Sequence, residues 1–581
     1  MEFGNCPTKS GGCGECSAES GKKLPPFFCN QLVSRWNAHL AKKYPDDAAL
    51  LAAWGKLLPG ETLTGGAVLF APMAGKFRAS TLINDANPLA IAALQGLAQE
   101  YDRSDFSPAR AADVIESLLN LQLTHKLKEA AAIKPLGRST TLSPMIFDTG
   151  IGYEIHSQYL HQHADAVAHC AYVNGRGPAF AEAAKAVAEQ PNEQQRLRVL
   201  QEVERIAANS LDVGNPGPIE TSTGWVNWLR KPPGISQGVP WLEQGKVPGK
   251  PFLCYETQIQ QPAKYRTDYP LRIAALASIQ DWDWVCWHYF GDGALDSITT
   301  EPRPWDKPMD ITTGWHPQGY HFTYDEAQSA AMRAAAHLFR SGGVLPAPMP
   351  TTFVFGRKAL LDVDSMDYGG SFGMAGLDML QTAYQYGSRL VIDPTRVDDE
   401  VRGPVVRFAD RNTHNPYTPT TQIDFDWKKG HLKIDSPFAS AFTGSLDESA
   451  EFAASGVRLA DVNIIDPPGT EEPIAAKNFV TFSLYSTDGN PLATARTASL
   501  LLVSTSFNTG FALDEKGWAK NGGSTPVLVS RVGATIQSPA LTGMRYQFLD
   551  WNLKPLGDRL ISDGTLRVPG ELPIFLVNLS R

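Results

Sequence analysis

Phe252-Leu253-Cys254-Tyr255-Glu256-Thr257-Gln258 is followed by Leu271-Arg272-Ile273-Ala274-Ala275-Leu276-Ala277-Ser278-Ile279-Gln280-Asp281-Trp282-Asp283-Trp284-Val285-Cys286-Trp287-His288-Tyr289-Phe290, and the fold turns on how these two runs are read. The first is a short apolar strand with one carboxylate, Glu256, at its carboxyl end. Leu271, Ala274, Ala275 and Ile279 recur at helical spacing and predict a helix. An aromatic-rich second strand closes the run. Strand, loop, helix and strand in this order build a parallel sheet with helices outside it. A carboxylate at the end of a buried strand, beside a strand rich in Trp, suits the cleavage of a glycosidic bond.

The pattern extends in both directions. Upstream, helices are predicted over 31–40, 46–54, 90–100 and 109–132, a strand over 165–172 and an interrupted helix over 179–209. Residues 214–250 form a long Gly- and Pro-rich loop holding Trp225, Trp228 and Trp241, and loops of that length in folded domains are usually functional. Downstream, Asp325 to Arg340 is a helix with Ala327, Ala331, Ala334, Ala335 and Leu338 on one face. Past residue 350 the texture changes. Val354, Leu360-Leu361, Leu390-Val391-Ile392 and Val405-Val406 alternate with turn residues. Runs at 478–485, 498–504, 526–532, 535–537 and 545–551 read as strands, with Thr487-Asp488-Gly489-Asn490 as a hairpin turn. The expected architecture is α/β followed by all-β: a barrel-type domain over 1–350, a β-rich connection over 351–425 and a β-sandwich over 426–581.

Composition narrows the function. The chain has 581 residues, of which 43% are hydrophobic and 19% charged, as in folded proteins. The net charge of −9 argues against nucleic acid as a partner, and no apolar run of about 18 residues predicts a membrane span. The 13 Trp and 17 Tyr are consistent with sugar binding, because pyranose faces stack on aromatic faces, although composition alone favours core packing. Met1-Glu2-Phe3-Gly4-Asn5 shows no basic or apolar signal segment.

Residues 5–30 read as a Gly-, Ser- and Lys-rich loop holding Cys6, Cys13, Cys16 and Cys29. Cys13-x-x-Cys16 has chelating spacing, so four thiolates can hold a structural zinc. Disulfides and free thiols are the alternatives. Cys170, Cys254 and Cys286 lie in apolar runs and read as buried and inert. His156, His161 and His163 have the spacing of a helix face. His169 and Tyr172, at the end of the 165–172 strand, are candidate sugar contacts, as are Trp284, Trp287 and His288. Tyr255 is placed to orient its neighbour Glu256. No Gly-x-Ser-x-Gly elbow occurs, which argues against a serine hydrolase.

The run from Pro251 to Phe290 resembles strands seven and eight of the clan A retaining glycoside hydrolases, and is similar to the β-galactosidase-like families around glycoside hydrolase family 42. There the nucleophilic Glu ends strand seven, and a helix and an aromatic strand follow. Asp325 to Arg340 with Val344-Leu345-Pro346-Ala347 resembles the same group's post-barrel helix. Glu2-Phe3-Gly4, then the cysteine loop, then Trp36-Asn37 through Leu40 and Lys43-Tyr44, is similar to the acid/base motif at the end of strand four, its zinc loop and the following helix. The family's Asn before the acid/base is replaced by Met1.

The resemblance implies a (β/α)8-type barrel that starts at strand four, with Glu256 as nucleophile and Glu2 as acid/base. The two carboxylates of a retaining enzyme stand about 5–5.5 Å apart. The substrate would be a β-linked glycoside or polysaccharide, and catalysis would need no cofactor. The sequence leaves a homo-oligomer open. A non-catalytic carbohydrate-binding protein, or an inactive barrel fragment, is the competing expectation.

Overall fold

A computed structural model describes residues 26–70, 77–78, 100–101, 106–133, 135, 154–173, 242–243, 245–259, 265–287, 325–361, 374, 377, 379–407, 422–426, 430–470, 475–476, 478–513, 519–521 and 523–581. The chain forms two compact units. One comprises Met1–Val167, Val354–Phe372 and Val391–Glu400; the other comprises Ala168–Phe353, Gly373–Leu390 and Val401–Arg581.

The first unit is mainly helical where described. It holds α1 (Pro26–Lys43), α2 (Asp47–Trp54), α3 (Pro108–Ile133) and α4 (Glu154–His161), with a short antiparallel pair of β1 (Phe77–Arg78) and β2 (Glu100–Tyr101). The predicted loop over 5–30 is therefore helical from Pro26 onward. Asp46 caps α2 by accepting from the Ala49 amide at 2.8 Å, and Gly55 ends it in the left-handed conformation that glycine adopts without strain. Trp36, Leu40, Leu50, Trp54, Leu63, Val68, Phe70 and Val114 form its apolar core. Arg110 from α3 forks onto Glu61 at 2.7 and 2.9 Å and lies 4.6 Å over the Trp54 ring. Buried charge is tolerated here because the fork is bidentate and the ring covers it.

The second unit carries the decisive run. β3 (Val167–Val173), β4 (Phe252–Ile259) and β5 (Trp284–Val285) form a sheet in that order, and β4 and β5 are parallel. α5 (Asp268–Ile279) connects β4 to β5 and is buried along its whole length. α6 (Glu326–Arg340) packs on α5. Its described face of Ala327, Ala331, Ala334, Ala335 and Leu338 is buried, as the sequence predicts. Small side chains on that face let the two helices approach closely.

The described residues between 350 and 425 are more helical than the sequence suggests. β6 (Thr351–Gly356), β7 (Ser388–Asp393) and β8 (Glu400–Arg402) pair in the order β7-β6-β8. Arg357–Leu360 turns as a short helix where the Leu360-Leu361 pair suggests a strand, and α7 (Met379–Tyr386) lies between β6 and β7.

Antiparallel sheets dominate the remainder. β9 (Ile423–Asp426), β10 (His431–Asp435), β11 (Ala439–Ser445), β12 (Ala450–Phe452), β13 (Val457–Ile465), β14 (Phe479–Ser486) and β15 (Thr497–Val503) come first. β16 (Ser506–Thr509), β17 (Ala512–Leu513), β18 (Ala519–Asn521), β19 (Ser524–Val529) and β20 (Arg531–Gln537) follow. β21 (Arg545–Asp550), β22 (Leu560–Ile561), β23 (Thr565–Val568) and β24 (Ile574–Ser580) end the chain. One sheet has the order β22-β21-β24-β15-β14-β11-β10-β9 and another β12-β13-β20-β23. Residues from both, including Phe482, Leu484, Leu500, Leu459 and Ile536, share one apolar cluster. β14 and β15 meet through the predicted turn: Asp488 accepts from the amides of Asn490 and Arg496 at 3.1 and 2.7 Å, and Gly489 takes φ 78°.

Candidate functional site

Glu256 is the fifth residue of β4, and the strand continues for three residues beyond it. That differs from the expected strand end. Thr257, Gln258 and Ile259 are buried and hold the extension, whereas Glu256 is half-buried. β4 is the middle strand of its sheet, and its pairing with β5 covers Leu253 and Cys254, short of Glu256.

The register of β4 and β5 sorts the aromatic candidates. Leu253 pairs with Trp284 and Cys254 with Val285, and the Cys286 amide donates to the Cys254 carbonyl at 2.7 Å. Counted forward, Trp287 comes level with Glu256. Trp284 lies three residues earlier, roughly 10 Å along the strand at about 3.3 Å per residue. Trp284 is 57% exposed. Trp287 is half-buried and meets the Tyr269 ring edge-on at 6.0 Å. His169 is buried, with its ring 5.6 Å from Phe252, at the other end of β4 from Ile259. The register thus sets Trp284 toward the Phe252 end of β4, where His169 also lies, and apart from Glu256.

Tyr255 is tied to the thiols. Its hydroxyl donates to Cys170 Sγ at 3.1 Å. Burial, with the Cys170 thiol and the Glu256 charge added, raises its pKa, so the phenol stays protonated. Burial likewise raises the pKa of Cys170 and that of Cys254. Neither is the thiolate that nucleophilic chemistry requires.

Seven of the candidate residues lie partly or wholly outside the described set. Glu2, Cys6, Cys13, Cys16 and His288 lie outside the described residues. Cys29 belongs to α1 and Tyr172 to β3, and their side chains are also outside the described set. Among the described residues no group of three or more His, Cys, Asp or Glu is arranged to hold a metal ion, and no helix is long and apolar enough to cross a membrane.

Sequence reasoning missed the polar frame behind Glu256. The Thr257 hydroxyl hydrogen-bonds the Tyr269 hydroxyl in the first turn of α5. Gln258 Oε1 accepts from Gln328 Nε2 of α6 at 2.7 Å. Arg266, just before α5, pairs with Asp325, the N-cap of α6. Arg272 pairs with Glu243 and donates from Nε to the Tyr384 hydroxyl at 2.7 Å. A signal for these was present: Arg272 interrupts an otherwise apolar helix, and a charge there needs a buried partner.

Comparison with known proteins adds no relative. No protein family matches the chain, no curated protein is similar to it, and no solved structure resembles it.

Proposed function

We propose that the chain is a retaining glycoside hydrolase acting on β-linked glycosides or polysaccharides, with β3, β4 and β5 as consecutive strands of a (β/α)8-type barrel. The observation that supports this reading is a half-buried carboxylate, Glu256, on the middle strand of a sheet whose β4–α5–β5 segment is a parallel strand–helix–strand unit. A Glu256 carboxylate oxygen attacks the anomeric carbon and forms a glycosyl-enzyme as the glycosidic bond breaks. The acid/base, read as Glu2, protonates the leaving oxygen and then deprotonates the water that releases the sugar. Tyr255, Trp287 and His288 are read as the walls of the sugar subsite.

A second reading is favoured by Trp284. Its exposure, away from Glu256, suits a stacking platform on a non-catalytic carbohydrate-binding protein. One experiment separates the two. Wild type and Glu256→Gln are assayed on a panel of aryl β-glycosides and β-glucans, with glycan binding measured in parallel. The hydrolase reading expects Glu256→Gln to lose on the order of 1,000-fold in kcat. Equal hydrolysis by both proteins removes Glu256 as nucleophile. Glycan binding without hydrolysis by either, weakened by Trp284→Ala, establishes the second reading.

A further inference from the structure

We infer that Gln328 and Ser506 are positioning residues for Glu256, acting through a buried polar chain that ties β4 to the antiparallel sheets. The catalytic part of this inference rests on the hydrolase reading; the mechanical part does not.

The chain starts at the two residues after Glu256. Gln258 Oε1 takes a hydrogen bond from Gln328 Nε2 at 2.7 Å, and Thr257 is bonded to Tyr269. Gln328 is in turn fixed at its backbone, because its amide donates to Asp325 Oδ1 at 3.0 Å. The same Asp325 oxygen accepts from the Ser506 hydroxyl at 2.9 Å, and the other carboxylate oxygen pairs with Arg266 Nε. Arg266 Nη2 closes the loop by donating to the Ser506 carbonyl at 2.6 Å and to its hydroxyl oxygen at 3.0 Å. Its guanidinium lies 5.3 Å from the centre of the Phe507 ring.

A second line runs beside it. Thr267 Oγ1 donates to the Ser504 carbonyl at 2.9 Å and contacts Thr481 Oγ1, which meets Thr443 Oγ1 at 2.9 Å. Tyr265 packs on Phe479 with ring centres 4.5 Å apart.

Gln258, Arg266, Asp325, Gln328 and Ser506 are all buried. Water does not replace a bond lost among buried groups, so each link resists displacement. The frame grips the residues adjoining Glu256, and a catalytic carboxylate displaced by about 1 Å loses on the order of 100-fold in rate. A β-sheet region that is merely appended would have no such path to β4.

The test uses Ser506→Ala and Gln328→Leu in the full chain. Hydrogen exchange is followed in peptides covering β4 and, as a reference, β24, alongside kcat and KM. The expected result is exchange at β4 faster by about tenfold with β24 unchanged, and kcat lowered at constant KM. Unchanged β4 exchange in both folded variants overturns the inference. Inactivity of the wild type on every glycoside removes the hydrolase reading instead, and β4 exchange still decides whether the frame holds the strand.

Discussion

At the scale of single residues, buried polar groups set the terms. Asp113 takes hydrogen bonds from Trp54 Nε1 at 2.8 Å, the Tyr44 hydroxyl at 2.7 Å and Lys43 Nζ at 2.6 Å, so three elements of the first unit converge on one carboxylate. His156 and His161 on α4 are buried, and His156 Nε2 hydrogen-bonds the Leu360 carbonyl at 2.8 Å. Burial lowers their pKa values to about 4 and about 3. Both lie below the value of about 6.5 that the unfolded chain shows. As pH falls, the unfolded state therefore takes up protons first. The stability these sites contribute is complete above about pH 6.5 and is lost progressively toward pH 4 and below. The thermal midpoint should fall on the order of 10 °C across that window, and His161→Phe should flatten the profile. A pH-independent midpoint in the wild type would show that these imidazoles do not govern acid stability. Neither histidine's burial was legible in the sequence: five residues apart, they stand about 140° apart around a helix, and that spacing does not say which sides are covered.

Elements defined by local pattern were read well. The strand at 252–258, the helix at 325–340 and the helix at 109–132 recur as β4, α6 and α3 with ends shifted by a residue or so. Elements defined by their neighbours were not. The aromatic strand expected to reach Phe290 is described as strand only over Trp284–Val285, with Cys286 and Trp287 lacking strand pairing. α7 was missed because its residues carry β-favouring Tyr and Thr alongside Leu and Gln, and packing against α5 and β9 decides the outcome. Strand geometry also yields a prediction. Gly444 in β11 has φ 143°, and a Cβ there would stand 2.5 Å from His431 Cδ2 and 3.1 Å from the Gly430 carbonyl oxygen. Gly444→Ala should destabilise the second unit by roughly 2 kcal/mol in denaturant unfolding. A loss below a few tenths would mean that the strand relaxes around the methyl group.

For the whole molecule, the second unit joins residues far apart in the chain: α5, α6 and the antiparallel sheets belong to one compact body. Deleting everything after residue 425 would leave Arg266 and Thr267 without Ser506 and Ser504, and Tyr265 without Phe479. Such a fragment should lack a cooperative thermal transition and near-ultraviolet circular dichroism; a sharp transition would show that the strand–helix layer folds alone. The sequence by itself determined the alternation of strand and helix around Glu256, the amphipathic face of α6 and the turn at Asp488-Gly489, because each is written in neighbouring residues. Only the tertiary structure decided the sheet order that sets β24 between β21 and β15, the register that carries Trp284 away from Glu256, and the pairing of Arg266 with Asp325 and Ser506. Those choices depend on contacts between residues tens to hundreds apart, where burial removes water and each polar group must find its partner in space.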